Sequence, residues 1–142
     1  MPETKLRSYL AYLLSEAQHT VNRGLADALA TQGMSVERWR ILRALDDGHG
    51  HSMSDLAEAV LMPHPTLTKA IDRLIDDALV YRRQDEADRR RVAVFLADRG
   101  RRAIAAADRL AEEHHRAIEA SYGQQRTERL MAELSRLVES LG

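Results

Sequence analysis

The stretch Met62-Pro63-His64-Pro65-Thr66-Leu67-Thr68-Lys69-Ala70-Ile71-Asp72-Arg73-Leu74 decides how the chain reads. Pro63 and Pro65 end one helix and seed the next, because proline fits a first helical turn and not a helix interior. Leu67, Ile71, Leu74 and Ile75 then fall on one face at helical spacing, with Thr66, Lys69 and Arg73 opposite and Asp72 and Asp76 beside them. Upstream, Leu56, Ala57, Val60 and Leu61 form a short apolar-periodic run, for which Ser54 is the expected N-cap. Downstream, Leu79 to Arg83 and the alternating Val92 to Leu96 flank the polar run Gln84 to Arg91, which reads as a β-hairpin with a charged tip. Two short helices joined tightly and followed by a basic-tipped hairpin make a winged helix-turn-helix over about residues 35–97. Such a unit reads duplex DNA.

The ends of the chain are helical and amphipathic. Lys5 to Ala30 carries Leu6, Leu10, Leu13, Leu14, Ala17, Val21, Leu25 and Ala28 at helical spacing, and Gly33 suits the stop that follows. Ser35 is placed to cap a helix to Leu45, with Trp39, Leu42 and Leu45 on its buried face. His51-Ser52-Met53 can add a short strand to the hairpin. Asp98 is the expected cap of a long helix ending at Gly123, striped by Ile104, Ala107, Leu110, Ala111, His114 and Ile118. Thr127 is the expected cap of the last helix, striped by Leu130, Leu134, Leu137, Val138 and Leu141. Isolated amphipathic helices gain too little alone, so these stripes call for a partner. The expected architecture is mainly α (α+β): a winged helix-turn-helix with a helical dimerisation module built from residues 1–33 and 98–142. A two-fold dimer sets two recognition helices about 34 Å apart, one turn of a palindromic DNA site.

Composition narrows the class. At 142 residues, 44% hydrophobic and 30% charged, the chain suits one soluble domain with a core. It has no apolar run of membrane-spanning length and no signal-peptide pattern from Met1 to Ser15. With no cysteine, disulfides and thiolate metal sites are excluded, and a cytoplasmic location is expected. The net charge of −1 hides an uneven distribution. Eight arginines between Arg82 and Arg102 face four carboxylates, a local excess that can neutralise phosphate even though the whole chain is slightly acidic. The bland reading is a solvated, arginine-rich hairpin.

These residues resemble the multiple antibiotic resistance (MarR) type of winged-helix transcriptional regulators. Leu56-Ala57-Glu58-Ala59-Val60 followed by Pro65 to Leu74 resembles the family's helix-turn-helix. Leu79-Val80-Tyr81-Arg82, Asp88-Arg89-Arg90-Arg91 and Leu96-Ala97-Asp98-Arg99-Gly100 resemble its wing and the entry to the next helix. The likeness spans nearly the whole chain in element order. Departures are Leu61 and Ala78 where glycine is common, Pro63 where a capping serine is common, and Ala97 where threonine is common. The resemblance implies a homodimeric DNA-binding regulator, commonly a ligand-responsive repressor, with His64, Pro65, Thr66, Thr68 and Lys69 nearest the bases and phosphates. Threonine can bond a base edge or set its methyl against thymine, and lysine suits guanine or phosphate; both threonines equally suit a helix start. Arg73 either meets phosphate or pairs with Asp72, Asp76 or Asp77. In the wing, Arg90 is expected to reach the minor groove, held in its rotamer by Asp88, with Arg89 and Arg91 in support.

Many members of that family release DNA when a small aromatic or amphipathic molecule binds between dimer helices and winged unit. On that implication His19, Arg23, Trp39 and Arg43 are candidate liners, an aromatic plate beside cations; Trp39 equally reads as core between helices. Six histidines raise the question of metal, but His49/His51 and His114/His115 lack ligand spacing and a third partner, so no metal or cofactor is expected, and His114 reads as packed or interfacial. No nucleophile elbow, phosphate loop, paired-carboxylate set or zinc helix is present, so an enzyme is not expected. The competing reading is a winged helix used for protein contact without specific DNA binding.

Overall fold

Left-handed residues set the course of the chain at three helix ends. The computed structural model describes residues 5–142; the first four residues of the expected 1–33 helical region lie outside the described residues. A 3-10 turn at Lys5–Ser8 leads into α1 (Leu10–Ala30), α2 (Val36–Leu45), β1 (His51–Ser52), α3 (Met53–Val60), α4 (His64–Asp76), β2 (Val80–Gln84), β3 (Val92–Leu96), α5 (Asp98–Tyr122) and α6 (Gln124–Leu141). Gly33, Leu61 and Ala78 have φ of 64°, 59° and 60°. After each, the next N–H returns to a carbonyl five residues back: Met34 to Leu29, Met62 to Ala57 and Leu79 to Leu74. Leu61 and Ala78 adopt, at about 1–2 kcal/mol each, a turn that glycine would make without strain. The chain's two departures from the glycine pattern therefore leave the turn geometry intact.

Ser35 caps α2 as its position implies, its Oγ accepting from the Arg38 N–H at 3.1 Å. Three other caps differ from expectation. Ser52, not Ser54, caps α3, because β1 ends at Ser52 in an extended conformation and its Oγ accepts from the Asp55 N–H at 3.1 Å. Ala97 stands before α5, and Asp98 is already inside the helix, turned to Arg101 at 2.6 Å. Gly123, with φ of 110°, stands before α6; Thr127 lies a turn inside, buried, its hydroxyl donating to the Gly123 carbonyl at 2.8 Å.

The three strands form an antiparallel sheet in the order β1-β3-β2, with Val80 opposite Leu96, Gln84 opposite Val92 and His51 opposite Val94. The expected mainly helical fold with a small winged sheet is what forms. Ile41, Leu42 and Leu45 of α2, Leu56 of α3, Leu67, Ile71 and Leu74 of α4, Val94 of β3 and Ile104 of α5 are almost fully enclosed. Burying each such side chain contributes about 1.5–3 kcal/mol. The hairpin joins α5 at Gly100, where a Cβ would overlap the Leu79 carbonyl and the Leu96 side chain. That carbonyl also accepts from the Ala97 N–H at 3.0 Å, so glycine is what lets α5 start against the wing. α1 crosses α5 where Gly24 leaves room for His114, which is packed as its stripe implies.

Candidate nucleic-acid interface

α4 is seated by one face and open on the other. Leu67, Ile71 and Leu74 point into the core, while His64, Pro65, Thr66, Thr68, Lys69, Asp72 and Arg73 are exposed. Pro63 precedes the helix in an extended conformation and offers no side-chain cap. Thr68 donates its hydroxyl to the His64 carbonyl at 2.9 Å, which leaves the oxygen able to accept a further hydrogen bond. His64 Nε2 lies 3.4 Å from Ser54 Oγ. Pro65, Thr66, Lys69, Ala70 and Arg73 form one wall of a groove of about 620 Å³ whose other wall is the start of α2, with Ser35, Glu37 and Arg38.

Two acids near Arg73 are taken by other arginines. Asp72 accepts from Arg82 of β2 at 2.9 Å, and Asp77 pairs with Arg38 of α2 at 2.7 Å. Among the described residues neither Arg73 nor Lys69 has an ion-pair partner, so the open face of α4 presents two uncommitted cations. The sequence left open a pairing of Arg73 with its helix neighbours; the tertiary structure assigns Asp72 and Asp77 elsewhere. Nothing local signalled the Arg38 partner, because α2 reaches Asp77 only in the folded chain.

At the wing tip the side chains that shape the turn are acids. Asp85 Oδ1 accepts from the Ala87 N–H at 3.0 Å, Asp88 Oδ1 accepts from the Arg90 N–H at 3.1 Å, and the Asp85 N–H donates to the Arg91 carbonyl at 2.9 Å. This corrects one expectation. Asp88 holds the backbone of Arg90, not its guanidinium, and its other oxygen lies 3.8 Å from Arg91 Nε, because an Asx turn brings the i+2 amide closer than the side chain. Arg89 and Arg90 are exposed, without an ion pair among the described residues. At the base of the hairpin the Tyr81 and Phe95 rings stack at 5.4 Å, and the Arg83 guanidinium lies 4.9 Å over Phe95.

The four candidate effector residues divide between two clefts. Trp39 and Arg43 line one of about 410 Å³ against α5, with Asp108, Glu112, His115, Arg116 and Glu119. The Trp39 Nε1–H donates to Asp108 Oδ1 at 2.9 Å, and Arg43 lies 3.8 Å from the other oxygen. His19 and Arg23 line a separate cleft of about 380 Å³ between α1 and the start of α2, with Asn22 and Arg40. Sequence reasoning missed the α5 lining, although residues 108, 112, 115 and 119 recur at helical spacing beside the apolar stripe. Trp39 packs against the core, as one reading of it expected, and also faces a cleft. Among the described residues no group of three or more histidine, aspartate or glutamate side chains is placed to hold a metal ion. His51 Nε2 instead meets Asp47 Oδ2 at 2.8 Å.

Residues 32–91, from just before α2 to the wing tip, match the model of the MarR family. The transcriptional regulator TtmR of Methylorubrum extorquens (strain PA1) is 29% identical over 68% of this chain, which spans about half (49%) of that relative's length. The regulator FarR of Neisseria gonorrhoeae is 26% identical over 99% of both chains. Among solved structures, the transcriptional repressor CouR bound to a 23-mer DNA duplex superposes with a TM-score of 0.87, at 24% identity over 97% of this chain and 98% of that one. CouR bound to p-coumaroyl-CoA superposes at 0.85, with 22% identity over 97% of both. The CouR likeness establishes the fold.

Proposed function

We propose that this chain is a member of the MarR family, whose model matches residues 32–91, and that it is a ligand-responsive repressor that binds a palindromic operator as a homodimer. The observation that carries this reading is the pattern of charge commitment. Arg38 and Arg82 are held by acids, whereas Lys69 and Arg73 on α4 and Arg89 and Arg90 on the wing face outward without partners. Free cations on two neighbouring, rigid elements suit phosphate and groove contacts. In this reading residues 35–97 form the DNA-reading unit, with His64, Pro65, Thr66, Thr68 and Lys69 at the major groove and Arg73 on phosphate. Arg90 enters the minor groove from a turn shaped by Asp88, beside Arg89.

Residues 1–33 and 98–142 form the dimerisation module, supported by the apolar stripes they leave exposed, among them Leu10, Leu130, Met131 and Val138. No described helix is long and apolar enough to cross a membrane, in keeping with a cytoplasmic protein that meets DNA. The relatives are regulators, and the reading assigns no catalysis. Trp39 and Arg43 form the effector cleft, where an amphipathic aromatic molecule would lie between the plate and the cations; His19 and Arg23 supply a second candidate pocket. Repression is relieved if such a ligand shifts the spacing of the two reading units.

The test is a salt-controlled titration of duplex selected by the protein from a random pool. Arg90→Ala is expected to weaken binding by about 1–3 kcal/mol and to flatten the salt dependence. Unchanged affinity in a folded Arg90→Ala protein would remove the wing from the mechanism. Failure of the wild type to select any duplex would favour a winged helix used for protein contact.

A further inference from the structure

From the bond between Asp72 and Arg82 we infer that this pair positions the wing against the recognition helix, so that the two read DNA as one unit. The inference rests on the DNA-binding reading above. It starts from how differently the two elements are held. α4 is locked by Leu67, Ile71 and Leu74, all fully enclosed. The hairpin is enclosed at its base through Val80, Val94 and Leu96, but along β2 every residue after Val80 is at least partly exposed, as is the tip from Asp85 to Arg91. Past Val80, then, β2 has no buried apolar side chain fixing its angle to α4.

Among the described residues, Arg82 Nη2 to Asp72 Oδ1 at 2.9 Å is the only side-chain hydrogen bond between α4 and the hairpin. It spans ten residues of sequence, whereas the other wing ion pairs, Arg83 with Glu86 and Arg91 with Asp88, are local and shape only the hairpin itself. The hairpin is stiff enough to pass an orientation outward: Tyr81 and Phe95 stack across its strands, Arg83 lies over Phe95, and the Phe95 ring rests where a Cβ on Gly50 would sit. A hold at Arg82 therefore sets the direction of the whole wing. Asp72 is an acid on the face of α4 that approaches DNA, where it repels phosphate. A positioning role explains why an acid there can help binding.

That gives a test whose sign decides. Removing a negative charge from a DNA-facing helix ordinarily tightens binding. Asp72→Asn is instead expected to weaken binding of the wild-type-selected duplex by about five-fold, the two copies of an exposed, charge-assisted pair acting together. Arg82→Gln should cost at least as much on its own, yet add little once Asp72 is asparagine. The exchanged pair, Asp72→Arg with Arg82→Asp, should recover most of the loss. The lost affinity should concentrate in the outer base pairs that the wing covers, read as weaker discrimination between A·T-rich and G·C-rich flanks, with thermal unfolding unchanged. Tighter or equal binding by Asp72→Asn, or additive effects of the two single variants, overturns the positioning role. A wild type that selects no duplex at all overturns the DNA-binding reading on which it stands, a separate failure visible before any variant is made.

Discussion

The winged unit and the terminal helices solve the same problem differently. In the winged unit the apolar residues of α2, α3, α4 and the sheet converge, and Leu45, Leu56, Leu67, Ile71 and Val94 are at most 1% exposed. In the terminal helices the stripes are as regular, yet Leu10 is 55% exposed, Leu130 46% and Val138 70%. Identical periodicity thus has two outcomes, and what separates them is whether the chain itself supplies a facing surface. The middle of the molecule closes on its own, taking in Leu25 and Leu29 of α1 and Ile104 of α5, and the outer stretches of the terminal helices are left open. The ends leave an apolar seam exposed, which the proposed dimer would cover.

The largest effect should come from attacking that seam. Leu134→Glu with Val138→Glu places charge where a dimer would be dry. Sedimentation is expected to show a folded monomer, and affinity for the selected duplex should fall by about a hundred-fold or more as the two reading units lose their linkage. A variant that stays dimeric with unchanged affinity would break the contrast. Next, Ile71→Ala opens a void in the self-contained core and should cost about 2–5 kcal/mol in denaturant unfolding. That cost should not depend on protein concentration, whereas a loss at the seam should.

The smallest effect lies in the loop after α2. Partial burial raises the Asp47 carboxyl, but hydrogen bonds from the His49 N–H and the His51 ring outweigh it and leave the group below its ordinary 3.8. A lowered folded pKa contributes stability above the unfolded value and loses it as pH falls through the folded one. Asp47→Asn should therefore reduce stability at neutral pH and converge with wild type below about pH 3.8. In so exposed a loop the difference stays well under about 1 kcal/mol, and a pH series of unfolding midpoints will show it.

Helix and strand order was legible because it rests on local periodicity. The Leu67-Ile71-Leu74 row, the Pro63 and Pro65 punctuation and the Val92 to Leu96 alternation each act within a few residues. Caps were less legible: Ser52 displaced Ser54 because β1 pairing decides where the chain turns helical, and Gly123 displaced Thr127 because the break between α5 and α6 falls earlier. Of the candidate site, the exposed row Thr66, Lys69 and Arg73 could be read from the helix wheel, since it is the complement of the buried row. The partners of the surrounding charges could not.

The amino-acid order alone determined which residues form helices and strands, which faces are apolar and where cations concentrate, since all of these follow from spacing and side-chain chemistry along a short segment. Only the tertiary structure decided that Asp72 belongs to Arg82 and Asp77 to Arg38, that Trp39 faces Asp108, and that Gly100 admits the Leu79 carbonyl. Those pairings join residues from 10 to 69 positions apart, and an ion pair or a close contact depends on where whole elements stop. That is set by the packing of the shared core, which no local pattern contains.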